Sequence, residues 1–197
     1  MLFPPIAERF ERLEETREIA HQMWKGDETP YQGKHSQLAR LLNSPSSVQK
    51  PHPPILIGGA GERKTLRLVA QYGDACNFSL TSLGIDEAQH KLGVLREHCQ
   101  SISRPYRDIE KTIIKRIHLT KDGREESWTP ATAIAYFRQL VAMGIDQAIV
   151  SLPNVETIPE RGQTERLVEK SLSCCRQNRK MLLFQQASSL PRSGMVS

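Results

Sequence analysis

The residues best suited to chemistry lie together in Gly58-Gly59-Ala60-Gly61-Glu62-Arg63-Lys64-Thr65. Three glycines leave backbone amides bare, and two cations and a hydroxyl follow at once. Where such a run joins a strand to a helix, the unpaired amides and the helix's partial positive charge favour a phosphate. Two familiar phosphate motifs test the run. In the P-loop pattern GxxxxGK[ST], Lys64-Thr65 would be the last pair and Gly58 the first glycine. Arg63 then stands where a second glycine must let the loop wrap the phosphates, and the next strand lacks a terminal aspartate for magnesium. The dinucleotide pattern GxGxxG begins with Gly59 and Gly61 but meets Lys64 at its third glycine. Both motifs fail, which argues against a P-loop nucleotide hydrolase. A phosphate cradle of another type and a plain tight turn remain as the two readings.

The other reactive residue types are scattered. The histidines form no HExxH pair, and no spacing ties His21, His35, His52 or His118 to a partner acid, so no proton donor is assigned and no metal is expected. Cys76, Cys99, Cys174 and Cys175 form no CxxC pair; reduced, mostly buried thiols are expected. The net charge is +5, yet residues 155–197 alone hold seven Lys and Arg against four Glu. The surplus is therefore mostly a solvated basic tail. Aromatics make up 6% of the chain and do not interleave with the basic residues, so no nucleic-acid surface is expected.

The elements that must position the glycine run are legible from periodicity. Ile6, Phe10, Leu13, Ala20, Met23 and Trp24 share one face of a first helix, which Pro4 and Pro5 open and Gly26 closes. Residues 27–54 show little periodicity and read as a long excursion. Strands and helices then alternate. Strands are expected at 55–57, 74–79, 111–119 and 145–152. Helices are expected at 62–72, near 86–102, and after Thr129, where Thr129 is an N-cap candidate, Pro130 sits at the first helical position and Gly144 closes the end. This order predicts parallel strands with helical crossovers. Beyond 154 a last helix is expected near 164–175, with a frayed end at 185–197.

The totals agree with a globular chain: 197 residues, 38% hydrophobic and 25% charged. No apolar run approaches the roughly 20 residues of a membrane span. The start, Met1 to Pro5, lacks a signal peptide's basic region and apolar core, so a cytoplasmic location is expected.

Three stretches, "RFERLEETREIAHQMWKGD", "VQKPHPPILIGGAGERKTLRLVAQYGDACNF" and "AMGIDQAIVSLP", together resemble the luciferase-like monooxygenase family of flavin- and deazaflavin-dependent oxidoreductases. The branch assigned to the deazaflavin coenzyme F-420 is the nearest in look. The resemblance implies an α/β fold, specifically the C-terminal half of a (β/α)8 TIM-type barrel, about its strands five to eight, N-terminally truncated. It implies a partial barrel domain over 1–154 with 27–54 as an insertion, and a divergent basic tail over 155–197, partly helical or disordered. It implies coenzyme F-420 as cofactor, with FMN as the alternative, and hydride transfer on a small organic substrate. The cofactor phosphate would lie at Gly58, Gly59, Ala60 and Gly61, with Lys64 and Thr65 beside it. Asn77 would line the site or serve as a structural hydrogen-bonder. With half the barrel absent, a non-catalytic remnant that binds cofactor phosphate, or that assembles with another subunit, is the alternative. The open edges, expected at 55–57 and 148–152, would be covered by a homo-oligomer.

Overall fold

Pro5 holds an extended backbone (φ −55°, ψ 154°) and helix α1 (Ile6–Trp24) starts directly after it. Gly26, at φ +73°, turns the chain away beyond its end. The structure, a computed structural model, describes residues 3–120, 123, 127–152 and 180–184. The chain divides into two compact units, Met1–Ile55 and Leu56–Ser197.

In the first unit the excursion contains a small hairpin that periodicity does not reveal. Strands β1 (Tyr31–Gln32) and β2 (Gln37–Leu38) pair antiparallel, and the Gly33 N–H donates to the Ser36 carbonyl at 2.8 Å across the turn. The turn closes over Glu15. The His35 N–H donates to its carboxylate at 2.9 Å, and a Cβ at Gly33 would sit 2.6 Å from the Glu15 carboxyl carbon, so a side chain there would displace the carboxylate. Burial alone would raise the Glu15 carboxyl, but the His35 amide, the Ser36 hydroxyl and the Lys34 amide hold it below its ordinary value. Glu15 is the buried residue of α1. The apolar positions Ile6 and Leu13 remain 63% and 45% exposed, against the expectation that the apolar stripe is the packed face. His52 stacks on Trp24 (ring centroids 5.3 Å apart), and His21 meets His52 edge-on at 4.8 Å.

The second unit is a five-stranded parallel sheet. Its strands, in both chain and spatial order, are β3 (Leu56–Gly58), β4 (Ala75–Ser79), β5 (Glu110–Arg116), β6 (Gln147–Ser151) and β7 (Lys180–Phe184). Helices α2 (Thr65–Tyr72), α3 (Ile85–Ser101) and α4 (Pro130–Met143) make the first three crossovers. Helix α4 starts as its sequence demands: the Thr129 hydroxyl accepts the Thr132 N–H at 3.2 Å, Pro130 takes the first turn, and Gly144 ends it at φ +95°.

Strand residues alternate between two faces. Ile57, Cys76, Phe78, Ile113 and Val150 turn to the helix side and join Leu66, Val69, Leu92, Leu95, Phe137 and Leu140 in the core. On the other face the register aligns Gly58, Asn77, Thr112 and Gln147 in one row. Leu56 and Ile114 on this face are 53% and 37% exposed. The end of the sheet where strands begin is tied by polar bonds. Arg104 donates to the Ala70 and Gly73 carbonyls at the end of α2, at 2.9 and 2.8 Å. The buried Lys111 ammonium pairs with the Asp146 carboxylate at 2.8 Å. Cys76 and Cys99 are buried free thiols, and burial pushes Cys76 up to about 12. Cys174 and Cys175 lie outside the described residues.

Two expectations are corrected. Four strands were expected, but Lys180–Phe184 adds a fifth, pairing all five of its residues with β6. Residues 148–152 are therefore no edge, and the outer strands are β3 and β7. The helix expected at 62–72 begins only at Thr65, because the Leu66 N–H reaches five residues back to the Gly61 carbonyl, at 3.0 Å. Residues 62–64 form a turn instead. The helix expected at 164–175 and the end at 185–197 fall outside the described residues. Among those residues no helix is long and apolar enough to cross a membrane.

Candidate functional site

The glycine run sits at the C-terminal end of β3 and leads through a turn into α2. Gly58 ends the strand, and a Cβ there would meet nothing within 4 Å. Gly59 has φ +119° and donates its N–H to the Asn77 carbonyl at 3.0 Å. Its conformation is one that side chains with a Cβ rarely adopt. The run folds around Thr65. A Cβ on Gly59 would lie 3.3 Å from the Thr65 methyl, and one on Gly61 would lie 2.9 Å from the Thr65 hydroxyl oxygen. Gly59 is thus favoured by its positive φ and Gly61 by the closeness of Thr65, while nothing among the described residues requires glycine at 58.

The polar groups of this turn divide into used and unused. The amides of Gly59, Leu66 and Leu68 donate to backbone carbonyls. Those of residues 60–63 donate to no described residue, and neither does the Thr65 hydroxyl. Arg63 and Lys64 are exposed. The one acid of the turn, Glu62, is drawn to α3. Its carboxylate takes Lys91 at 2.7 Å and the His90 ring at 3.2 Å, while the His98 ring donates to its carbonyl at 2.8 Å. The Lys91 ammonium holds the Glu62 carboxyl below its ordinary value. The turn therefore offers free amides, a hydroxyl and the Arg63 cation, with its one acid, Glu62, already neutralised. That donor set fits a phosphate. Lys64 caps the helix and Arg63 precedes it, so the positive end of the helix dipole opposes both weakly, a conflict that a bound anion would relieve.

Asn77 lies level with Gly58 on the uncovered face. Its side-chain amide donates to the Thr112 hydroxyl at 2.7 Å, and that hydroxyl donates to the Cys76 carbonyl at 2.8 Å. Asn77 is held as a structural hydrogen-bonder, with its side-chain oxygen unpaired among the described residues. Gly58, Gly59, Ala60, Gly61, Lys64 and Thr65 come together in one turn, and Asn77 stands one strand away. The histidines do not converge on this face: His35 is engaged by Glu11 at 2.6 Å, His52 by Trp24, and His118 is exposed in the loop after β5. No group of three or more potential metal ligands occurs among the described residues.

One residue at the strand ends escaped the sequence. Arg116 closes β5 two places beyond Ile114 and four beyond Thr112, so it shares their uncovered face. The sequence places Arg116 in a strand but does not say which face of the sheet it takes.

A family model for luciferase-like monooxygenases matches residues 3–172. Among solved structures, the coenzyme F-420-dependent tetrahydromethanopterin reductase from Methanopyrus kandleri is similar over 82% of this chain and 62% of its own, at 13% identity and TM-score 0.66. A monooxygenase from Streptomyces bottropensis is similar over 87% of this chain and 63% of its own, at 18% identity and TM-score 0.67. A riboflavin lyase solved with modified FMN and riboflavin is similar over 73% of this chain and 34% of its own, at 10% identity and TM-score 0.51. At these identities the likeness is one of fold, and the chain spans less than two thirds of each structure's length. These neighbours thus include one protein named for coenzyme F-420 and one solved with FMN, and the parallel sheet here matches part of their architecture. With the family match running over most of its length, this chain belongs to the luciferase-like monooxygenases.

Proposed function

We propose that the chain carries the cofactor-phosphate side of a flavin- or deazaflavin-dependent oxidoreductase, with β3 to β6 corresponding to strands five to eight of the barrel. Coenzyme F-420 is the proposed cofactor and FMN the alternative. When bound, such a cofactor supplies hydride transfer to or from a small organic substrate. The chain's own contribution is to hold it. The free amides of residues 60–63, the Thr65 hydroxyl and Arg63 would take the phosphate oxygens. Glu62, tied to Lys91, adds no repulsion. Gly58 leaves the approach open. The observation that carries this reading is the set of unpaired donors in the turn at the C-terminal end of β3, the end at which barrels of this type bind their ligands.

The test is titration of coenzyme F-420 and of FMN, followed by fluorescence quenching. Gly58→Asp places a carboxylate at the mouth of the turn with no steric conflict and should abolish binding while leaving thermal stability unchanged. Gly59→Asp should abolish it too, at some cost in stability. Unchanged affinity in both variants would refute the site.

A second reading is favoured by one observation: no histidine of the described residues stands on the uncovered face of the sheet. On that reading the chain binds the cofactor without turnover, or assembles with another subunit. Binding with no cofactor turnover in the presence of substrate would support it. A homo-oligomer that covers the outer strand β3 belongs to the same proposal, and size-exclusion chromatography with light scattering tests it.

A further inference from the structure

The end of the sheet beyond the polar row carries a second set of polar groups. Arg116 and Ser151 are register partners at the ends of β5 and β6, so their side chains leave the same face about 5 Å apart. On the other side, the Arg116 N–H donates to the Thr81 hydroxyl at 3.3 Å, which puts Thr81 level with Arg116 just past β4. The Arg116 main chain thus lies level with two hydroxyl-bearing residues, Thr81 on one side and Ser151 on the other. The Arg116 side chain is exposed and makes no hydrogen bond or ion pair with a described residue. The Ser151 hydroxyl is likewise unengaged. The neighbouring Lys115 turns the other way and donates to the Leu80 carbonyl at 2.6 Å. The only acid on this face of the sheet, Glu110, lies six residues back along β5, about 20 Å away.

A surface arginine is usually accompanied by acids, and among the described residues this one is not. It stands at the carboxyl ends of parallel strands, where open α/β sheets place their ligands. A planar guanidinium flanked by hydroxyl donors matches an oxyanion, which it can bond through two N–H groups at once. Two strand spacings, about 10 Å, separate β5 from the glycine turn on β3. One anion at each place could therefore be held on the same rim.

We propose that Thr81, Arg116 and Ser151 form an oxyanion site that binds the carboxylate or phosphate of the substrate, separate from the turn that holds the cofactor. As a statement about substrate this rests on the cofactor reading above, whereas the oxyanion site itself does not. The site selects small organic substrates that carry one negative group.

NMR of the full chain tests it. The Arg116 side-chain Nε–H resonance is identified by its loss in Arg116→Gln. Inorganic phosphate and acetate are then titrated separately, to distinguish phosphoryl from carboxylate recognition. A saturable shift of that resonance is expected with at least one of them, weakened about three- to tenfold by Thr81→Ala and by Ser151→Ala. It should persist in Gly58→Asp, which disables the cofactor turn. A linear, unsaturating shift, or one that neither hydroxyl variant changes, would overturn the site. If the wild-type chain binds neither F-420 nor FMN but keeps the saturable shift, the cofactor reading falls and the oxyanion site stands. If cofactor binds and the shift is absent, the reverse holds.

Discussion

Gly61→Ala should destabilise the chain, and Thr65→Ala should rescue it. The Cβ added at Gly61 would lie 2.9 Å from the Thr65 hydroxyl oxygen and 3.6 Å from its Cβ. The first distance is shorter than real Cβ contacts allow, so Thr65 must rotate or the turn must open. Overpacking of this kind costs about 1–3 kcal/mol, and the stiffer unfolded chain returns about 0.4–1 kcal/mol. A net loss of about 1–2 kcal/mol is expected. Gly61 has no positive φ, so the loss is steric and specific to Thr65. Thr65→Ala removes the conflicting atom, and the double variant should recover most of the loss, giving a coupling of about 1–2 kcal/mol. Urea unfolding of the four proteins, with m held constant, measures it. By heat, each 1 kcal/mol should appear as about 2–4 °C in Tm for a chain of this size. Additivity within about 0.5 kcal/mol would show that Thr65 does not fill the glycine turn, and the account of why the run is glycine would fail with it.

Other perturbations read other parts of the structure. Asp146→Ala removes the carboxylate from the buried Lys111 ammonium, which then keeps the Ile109 carbonyl at 2.7 Å and the Tyr106 ring, its centroid 5.0 Å away; a loss of about 2–3 kcal/mol in urea unfolding is expected, discounted for the partial exposure of Asp146, and a loss below about 0.5 kcal/mol would deny the pair a structural role. In the first unit, hydrogen bonds from Lys34 and His35 lower the Glu11 carboxyl from 4.5 to about 2. Because the folded value is the lower one, this tie is complete above pH 4.5 and lost as pH falls towards 2, so the amides of Gly33 and His35 should lose hydrogen-exchange protection over that window, and Glu11→Gln should reduce the pH dependence to the part that the Glu15 carboxylate contributes. Deletion from Lys180 onward uncovers the edge of β6 and should produce concentration-dependent self-association by light scattering; a deletion variant that remains as monomeric as the full chain would show that β7 does not guard that edge.

Elements with a local signature were readable in the sequence. The helix from Pro130 to Met143 has a hydroxyl cap, a proline and a left-handed glycine, each acting within its own turn. The strand at Ala75–Ser79 is an apolar stretch bounded by Gly73 and the turn after Ser79. What was missed depends on partners distant in sequence. The hairpin at Tyr31–Leu38 is made by Glu15, whose carboxylate organises the turn from α1, and two-residue strands have no period to read. Lys180-Met181-Leu182-Leu183-Phe184 is an apolar run too short to separate strand from helix, and it becomes a strand by pairing with β6. The late start of α2 follows from one long-reaching bond at Gly61. At the candidate site, the glycine turn was visible from composition, and the phosphate reading proposed for it came from the residue types. The structural tie of Asn77 to Thr112 and the place of Arg116 required the register of the sheet, which no single segment encodes.

The fifth strand also sets an order in time. β6 ends at Ser151 and β7 begins at Lys180, so on a translating ribosome the outer edge of β6 precedes its cover by nearly thirty residues. At about 5–20 residues per second this is a delay of roughly 1–6 s, far longer than the microseconds in which short strands pair. During that interval β6 presents bare backbone donors and acceptors to any neighbouring nascent chain. Slowing translation between residues 151 and 180 should therefore lower the yield of soluble chain without changing the stability of the molecules that fold.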